Sequence, residues 1–329
     1  MKWKNRTVSA ITRPSRPDRN TVRAVRVFAA ALFTGIAVLD RVYQIGPLFT
    51  GRRIGPEVWE PNPNRFFHET PIASPAPSIR VLSLNTAHGR KEGSHRMLQS
   101  RAAIRSNLDD IADLLLRVNP DIVALQETDG PSAWSGMFDH VRHLSRYAGF
   151  PHSVFGGHVK GKRNIYGTAL LSSFPLEDPL SIRFSPAPPT FAKGAVISTI
   201  HLPDAENTAV DVVSLHLDFA RRSVRIRQVD EFIEKVKDRR RPLIVMGDFN
   251  CEWNTGEATL PFLARSLNLK TFKPEATNMA TYPTSERRLD WILLSKDLDF
   301  RNYHTIYEPL SDHLAVMADI APAPGNRAA

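Results

Sequence analysis

Cysteine is nearly absent: Cys251 is the one thiol in 329 residues. An intramolecular disulfide and a cysteine-built zinc cluster are thereby excluded, and stability must come from burial in any compartment. Acidic residues are scarce at the start, where Asp18 stands alone among the basic residues of positions 1–26. Long apolar runs are missing too. The uncharged stretch 27–39, "VFAAALFTGIAVL", gives ~20 Å of helix against the ~30 Å hydrocarbon core of a bilayer. No internal repeat is visible.

What is there begins with a 42% hydrophobic content, that of a chain with a real core rather than a disordered one. The formal charge of +9 invites a nucleic-acid reading. Most of that charge, however, lies before residue 79, and beyond it basic and acidic residues nearly balance. The basicity is weak support for a catalytic face that tracks a duplex.

The N-terminal segment, 1–55, couples a basic flank to the apolar run 27–39, a pattern that predicts membrane association or export over a soluble cytoplasmic chain. A cleaved signal, a retained anchor with Arg26 and Arg41 at its ends, and an in-plane helix all fit, as does a soluble helix packed on the domain. Residues 56–78 are proline-rich and lack periodicity, which reads as a linker or an extended, surface-hugging chain. A main domain is expected over 79–320, with a tail at 321–329.

Within that domain, short Val/Ile/Leu segments recur at 79–84, 122–126, 168–171, 195–200, 210–217, 243–246, 289–294 and 314–320, each of strand length. A helix is predicted where Ile104, Leu108, Ile111, Leu115 and Val118 fall on one stripe, ending at Asn119-Pro120. A second spans 224–236. Strands outnumber helices and many are apolar on both faces, so packed sheets covered by helices are expected.

Polar residues gather where these runs end. "VLSLNTAHG" carries Asn85, "LQET" Glu127, "SLHLD" His216, and "VMGDFN" both Asp248 and Asn250. "RRLDWILLS" holds Asp290, and "SDH" places Asp312 and His313 just before the last run. Asp248 and Asn250 are two apart, so an extended chain aims both at one point. Taken singly, each residue has a plain reading. Glu127 could be a surface acid, His216 a satisfied core residue, Asp248 and Asn250 a turn, Asp312 an N-cap, and Asp290 a partner of Arg287 or Arg288. Converging at one sheet rim, they would instead suit a hard divalent cation and a phosphate.

These stretches, in this order, resemble the endonuclease/exonuclease/phosphatase superfamily, on the branch with histidine at position 216, as in DNase I and neutral sphingomyelinases. "GDFN", "RRLDWILLS" and "SDH" are the most specific parts. The resemblance implies an α/β four-layered sandwich, two packed mixed β-sheets flanked by helices. It also implies a phosphoester hydrolase in which water attacks phosphorus with Mg²⁺, or Mn²⁺, as cofactor. By position, it assigns Glu127, Asn85 and Asp312 to the metal, and His216, Asp248, Asn250, Asp290 and His313 to catalysis, with Asp290 fixing the tautomer of His313. Thr168 stands where many relatives have asparagine and, with Arg222, is a candidate phosphate contact. Ala87 replaces the acid that AP endonucleases use near the metal, which weakens that assignment.

The expected substrate is a nucleic-acid or phospholipid phosphodiester. An inositol-phosphate type phosphomonoesterase and a noncatalytic phospholigand-binding scaffold are the alternatives. Near-neutral charge gives little support for extended duplex contact, although Lys160, Lys162 and Arg163, and Arg221, Arg222, Arg225 and Arg227, form local basic patches. No obligate protein partner is implied.

Overall fold

Thirteen strands are arranged in two stacked sheets in the computed structural model, which describes residues 57–59, 78–91, 99–204 and 206–323. The first sheet runs, edge to edge, β1 (Glu57–Trp59), β4 (His152–Lys160), β5 (Ile165–Ser172), β3 (Ile122–Asp129), β2 (Ile79–Asn85), β13 (Ala315–Pro322) and β12 (Leu298–Ile306). The second runs β10 (Leu269–Thr271), β11 (Asp290–Ser295), β9 (Leu243–Asp248), β8 (Ala209–His216), β7 (Gly194–His201) and β6 (Glu177–Arg183). Only β2/β3 and β8/β9 are parallel, so both sheets are mixed.

A parallel pair needs a crossover, and each of these has a long helix: α1 (Arg101–Val118) between β2 and β3, and α3 (Arg222–Val236) between β8 and β9. The shorter α2 (His140–Tyr147) and α4 (Thr259–Ser266) complete the outer layers. Ser100 caps α1 by accepting from the Ala103 amide at 3.2 Å. The helix ends where Asn119 turns left-handed, φ 45°, ahead of Pro120, as the sequence predicts.

Strand alternation sorts the apolar residues into three layers of core. Val81, Ile122 and Ala124 face inward, against Val212, Ile244, Met246 and Ile292 of the other sheet. Their neighbours Leu82, Val123 and Leu125 face outward and are covered by Ile104, Leu108 and Leu115 of α1. Val213, Leu215 and Val245 are covered in the same way by Val229 and Phe232 of α3 and Leu260 of α4. The result is the expected four-layered sandwich, helix on sheet on sheet on helix. One polar bridge crosses the middle: Gln126 Nε2 donates to Ser214 Oγ at 3.0 Å, and Ser214 Oγ to the Leu125 carbonyl at 2.8 Å.

Differences from the sequence expectations lie at the edges. Residues 57–59, inside the proline-rich stretch, form edge strand β1 on β4. Strand β4 is broken in pattern by Gly156-Gly157, and β6 and β12 are half-exposed edges with polar residues, so apolar periodicity misses all three. Strand β13 reaches Pro322, past the expected domain end. The chain divides into units 1–53 and 54–329. The expectation of membrane association or export is corrected: among the described residues no helix is long and apolar enough to cross a membrane. The run 27–39 on which it rested lies outside the described residues.

Candidate active site

The parallel registers decide where the polar strand ends meet. Asn85 lies opposite Gln126, and His216 opposite Asp248, so both pairs finish at the same rim of the sandwich. Antiparallel β11 sets Asp290 directly across from Asp248. His313 enters from the segment just before β13, which pairs with β2. Sequence positions more than 200 apart thus converge.

Asp248 is the hub. Its Oδ2 accepts from Asn85 Nδ2 at 3.0 Å and from Asn250 Nδ2 at 3.1 Å, with His216 Nε2 at 3.4 Å and His313 Nε2 at 3.8 Å. Its Oδ1 accepts the Asn250 amide at 2.9 Å. Behind His313, Asp290 Oδ2 takes the imidazole Nδ1 at 2.8 Å and the Thr281 hydroxyl at 2.6 Å. Asp290 therefore holds His313 rather than an arginine. Arg287 pairs with Glu252 at 2.9 Å, and Arg288 bonds the Tyr303 hydroxyl and nearby carbonyls. An imidazole with Nδ1 on a carboxylate keeps Nε2 aimed into the site.

Glu127 arrives by a different device. It is the extra residue of a bulge in β3, between the pairs Gln126↔Thr168 and Thr128↔Gly167, and it takes φ 47°. Strand β4 bulges at the matching place on the other side of β5, where His158 is the extra residue. Gly167 sits between the two bulges, and a Cβ there would lie 1.9 Å from the Gly156 carbonyl oxygen. A bulge re-aims a side chain at the cost of one ladder position. Here it swings the Glu127 carboxylate between Lys193 Nζ, 3.4 Å from Oε1, and His88 Nε2, 3.6 Å from Oε2. The Glu127 side chain keeps 27% of its surface exposed.

Electrostatics divide these groups. Burial alone would raise the Glu127 carboxyl, but the positive charge around it, Lys193 foremost, outweighs it and holds Glu127 well below the ordinary carboxylate range. Asp248 moves the other way: burial, reinforced by the charge of Asp290, raises it despite His313 and Asn85. For His313, burial is overcome by Asp290 and Asp248, and its proton is held more tightly than usual. His216 is pushed down by burial and by Lys193, whose Nζ lies 3.0 Å from its Nε2, so it stays neutral. His313 thus keeps its proton where His216 gives up its own.

The remaining candidates lie as follows. Asp312 accepts from Ser311 Oγ at 3.2 Å and adds negative charge beside His313. Asn85 Oδ1 takes the Ala87 amide at 3.0 Å. Asn250 Nδ2 also donates to the Leu217 carbonyl at 3.0 Å, so it orients Asp248. Thr168 is fully buried, with its hydroxyl 2.9 Å from His158 Nε2. Arg222 is exposed at the first turn of α3, where it acts on Glu257. Arg225 is committed to a two-pronged pair with Glu257 at 2.6 Å.

Sequence reading missed Lys193, His88 and Asp129. Lys193 is buried at 7% exposure in front of β7, a position no motif marked. His88 and Asp129 stand beside the recognised Asn85 and Glu127, and that adjacency was the available signal. A divalent cation fits the donor chemistry on the Glu127 side, where an ionised, partly exposed carboxylate stands at the rim. Asp248, Asp290 and His313 also offer ligand atoms within 4.8 Å of one another. There, however, Asp290 is already engaged by His313 and Thr281.

Comparison with known proteins identifies the fold and the family. The chain resembles an endonuclease/exonuclease/phosphatase from Beutenbergia cavernae at 17% identity, covering 75% of this chain and 72% of that one, TM-score 0.57. It resembles the human nocturnin catalytic domain with bound sulfate at 22% identity, 75% and 96% coverage, TM-score 0.56. It also resembles a mannosyl-6-phosphatase from Bacteroides thetaiotaomicron at 16% identity, 74% and 100% coverage, TM-score 0.58. At such identities the likeness establishes the fold. No curated protein matches in sequence. The endonuclease/exonuclease/phosphatase family model matches residues 82–313, spanning every element that carries the site, and the chain belongs to that family.

Proposed function

We propose that the protein is a divalent-metal-dependent phosphodiesterase that hydrolyses a nucleic-acid or phospholipid phosphodiester. The observation that carries this reading is the gathering of Asn85, Asn250, His216 and His313 on a single buried oxygen, Asp248 Oδ2, within 3.0–3.8 Å. A buried carboxylate with raised proton affinity is suited to accept a proton from an attacking water. Neutral His216, 3.4 Å away, is placed to assist that transfer. His313, protonated and fixed by Asp290, is suited to give a proton to the departing oxygen. Lys193, beside Glu127 and His216, supplies positive charge for a nonbridging phosphoryl oxygen.

Mg²⁺, or Mn²⁺, held at Glu127 would neutralise charge developing on the phosphoryl group. Asn85 keeps the two halves in register, because its amide side chain joins β2 of one sheet to Asp248 of the other. Phe219, whose ring lies 5.9 Å from Lys193 Nζ, and Phe191, two residues before Lys193 and edge-on to Tyr166, are 63% and 46% exposed and give the organic part of the substrate an apolar rest. A second reading, phosphomonoester hydrolysis, is favoured by the same Lys193, whose charge also suits a dianion.

The test uses the purified full chain with Mg²⁺ or Mn²⁺ on bis(4-nitrophenyl) phosphate and 4-nitrophenyl phosphate, then on DNA, RNA, sphingomyelin and phosphoinositides. Diester turnover is expected, with Asp248→Ala lowering it by about 10³-fold or more while the fold persists. Faster monoester turnover would select the second reading. Undiminished activity in Asp248→Ala would reject the chemistry, and no turnover on any substrate would leave a binding scaffold.

A further inference from the structure

Ala87 leaves the rim without an acid two residues after Asn85, and the next side chain fills the gap differently. Ala87, His88 and Gly89 take φ values of 45°, 57° and 72° in succession. Two successive non-glycine residues in this region carry backbone strain, which survives where the surroundings fix it and clusters at functional sites. Its effect here is to turn the imidazole of His88 so that Nε2 faces Glu127 Oε2 across 3.6 Å.

The other ring nitrogen is tied down. Nδ1 lies 2.6 Å from Asp129 Oδ1, and the second oxygen of Asp129 accepts the Trp134 indole N–H at 2.8 Å. Asp129 is fully buried, and the His88 ring and the Trp134 indole between them engage both of its oxygens. With Nδ1 taken up by Asp129, Nε2 is the ring nitrogen left facing Glu127. Trp134 and Tyr166, with ring centroids 4.7 and 5.0 Å from that of His88, set the plane of the ring. The resulting chain, carboxylate to imidazole to an open Nε2, is the usual support of a metal-ligating histidine.

The 3.6 Å gap between Nε2 and Oε2 is too long for a hydrogen bond. It lies just above the roughly 3.0–3.5 Å that separates two donors on one cation with bonds of about 2.1 Å at right to tetrahedral angles, so a small side-chain adjustment would let both reach one ion. We propose that His88 Nε2 is a ligand of the cation held at Glu127, supported by Asp129 and Trp134. The imidazole tunes that site toward a transition-metal ion such as Mn²⁺ over Mg²⁺, because nitrogen donors suit the former and hard oxygen donors the latter. This deepens the proposed function and rests on its placing of a cation at Glu127.

The test is direct Mn²⁺ binding to the purified full chain, read without turnover. Titration gives affinity, and pulsed electron paramagnetic resonance reports ¹⁴N nuclei coupled to the ion. The wild type should bind Mn²⁺ with a coupled histidine nitrogen. The coupling should vanish in His88→Ala and His88→Asn, the latter keeping a residue at ease with positive φ, and should persist in His216→Ala. Mn²⁺ affinity should fall about 10–100-fold in the His88 variants and in Asp129→Asn, with a smaller loss for Mg²⁺. Circular dichroism of the metal-free variants checks folding. Mn²⁺ bound at Glu127 without coupled nitrogen, or coupling that outlasts both His88 substitutions, overturns the assignment and leaves the Glu127 cation standing. Mn²⁺ binding that is absent, or indifferent to Glu127→Gln, overturns both.

Discussion

The β2–α1–β3 and β8–α3–β9 units have the same wiring, a parallel pair joined by one long helix, and each ends with an acid at the shared rim. Their acids nonetheless behave oppositely. Glu127, raised on a bulge among Lys193, His88 and His216, stays ionised and reachable. Asp248 ends a regular strand, is buried between amides and histidines, and holds a proton more readily than an ordinary aspartate. Topology delivers a carboxylate, and its surroundings decide whether it stays ionised or holds a proton.

That division can be broken experimentally. After Asp248→Ala, the largest effect is expected from Glu127→Gln, which keeps shape but removes charge. Activity should fall about 10²–10³-fold, some 3–4 kcal/mol, with partial recovery as Mg²⁺ or Mn²⁺ is raised. Asp248→Ala should show no such recovery. Equal responses of the two variants to added metal would erase the distinction between the halves.

Gly167→Ala tests the bulges that set the first half apart. The added Cβ meets a backbone oxygen at 1.9 Å, so one or both bulges must shift. Stability should drop by about 2–4 kcal/mol in urea denaturation. Metal affinity should fall with it, whereas an unaltered melting curve would show that the bulges yield easily.

The smallest effect concerns the ground beneath Lys193. Burial, reinforced by Lys193, Lys160 and Arg183, pushes His158 down to about 3. Its unfolded value is near 6.5, so the folded state resists protonation. The associated stability is fully present above about pH 6.5 and is lost as pH falls toward 3, by at most ~1.4 kcal/mol per pH unit. Urea midpoints between pH 7 and 4.5 should decline more steeply for the wild type than for His158→Gln. Parallel slopes would mean that His158 does not feel the positive charge above it.

Much of this was legible in sequence because regular strands expose their pattern. The apolar runs before Asn85, Glu127, His216 and Asp248 are largely buried strands, and the polar residue closing each run marks the rim. The Asp290 and His313 pairing was implied by family likeness and is realised at 2.8 Å. Lys193 was not legible, since nothing local tells a lysine before β7 from a surface one. Thr168 and Arg222 were read from position alone, and the structure puts the first in the interior and the second in the open. Facing is set by the tertiary partner, and Thr168 is claimed by a histidine that only a bulge brings inward. Edge strands stayed hidden because half-exposed sequences carry no clean period.

The paired bulges around Gly167 also change what an insertion or deletion would mean. Along most of β3, trading one amino acid for another alters a contact. Between Gln126 and Thr128, losing a single residue would restore a flawless ladder and leave the rim with no glutamate to offer. A more regular sheet would then be an emptier enzyme: the aim of Glu127 is written in the number of residues as much as in their kind.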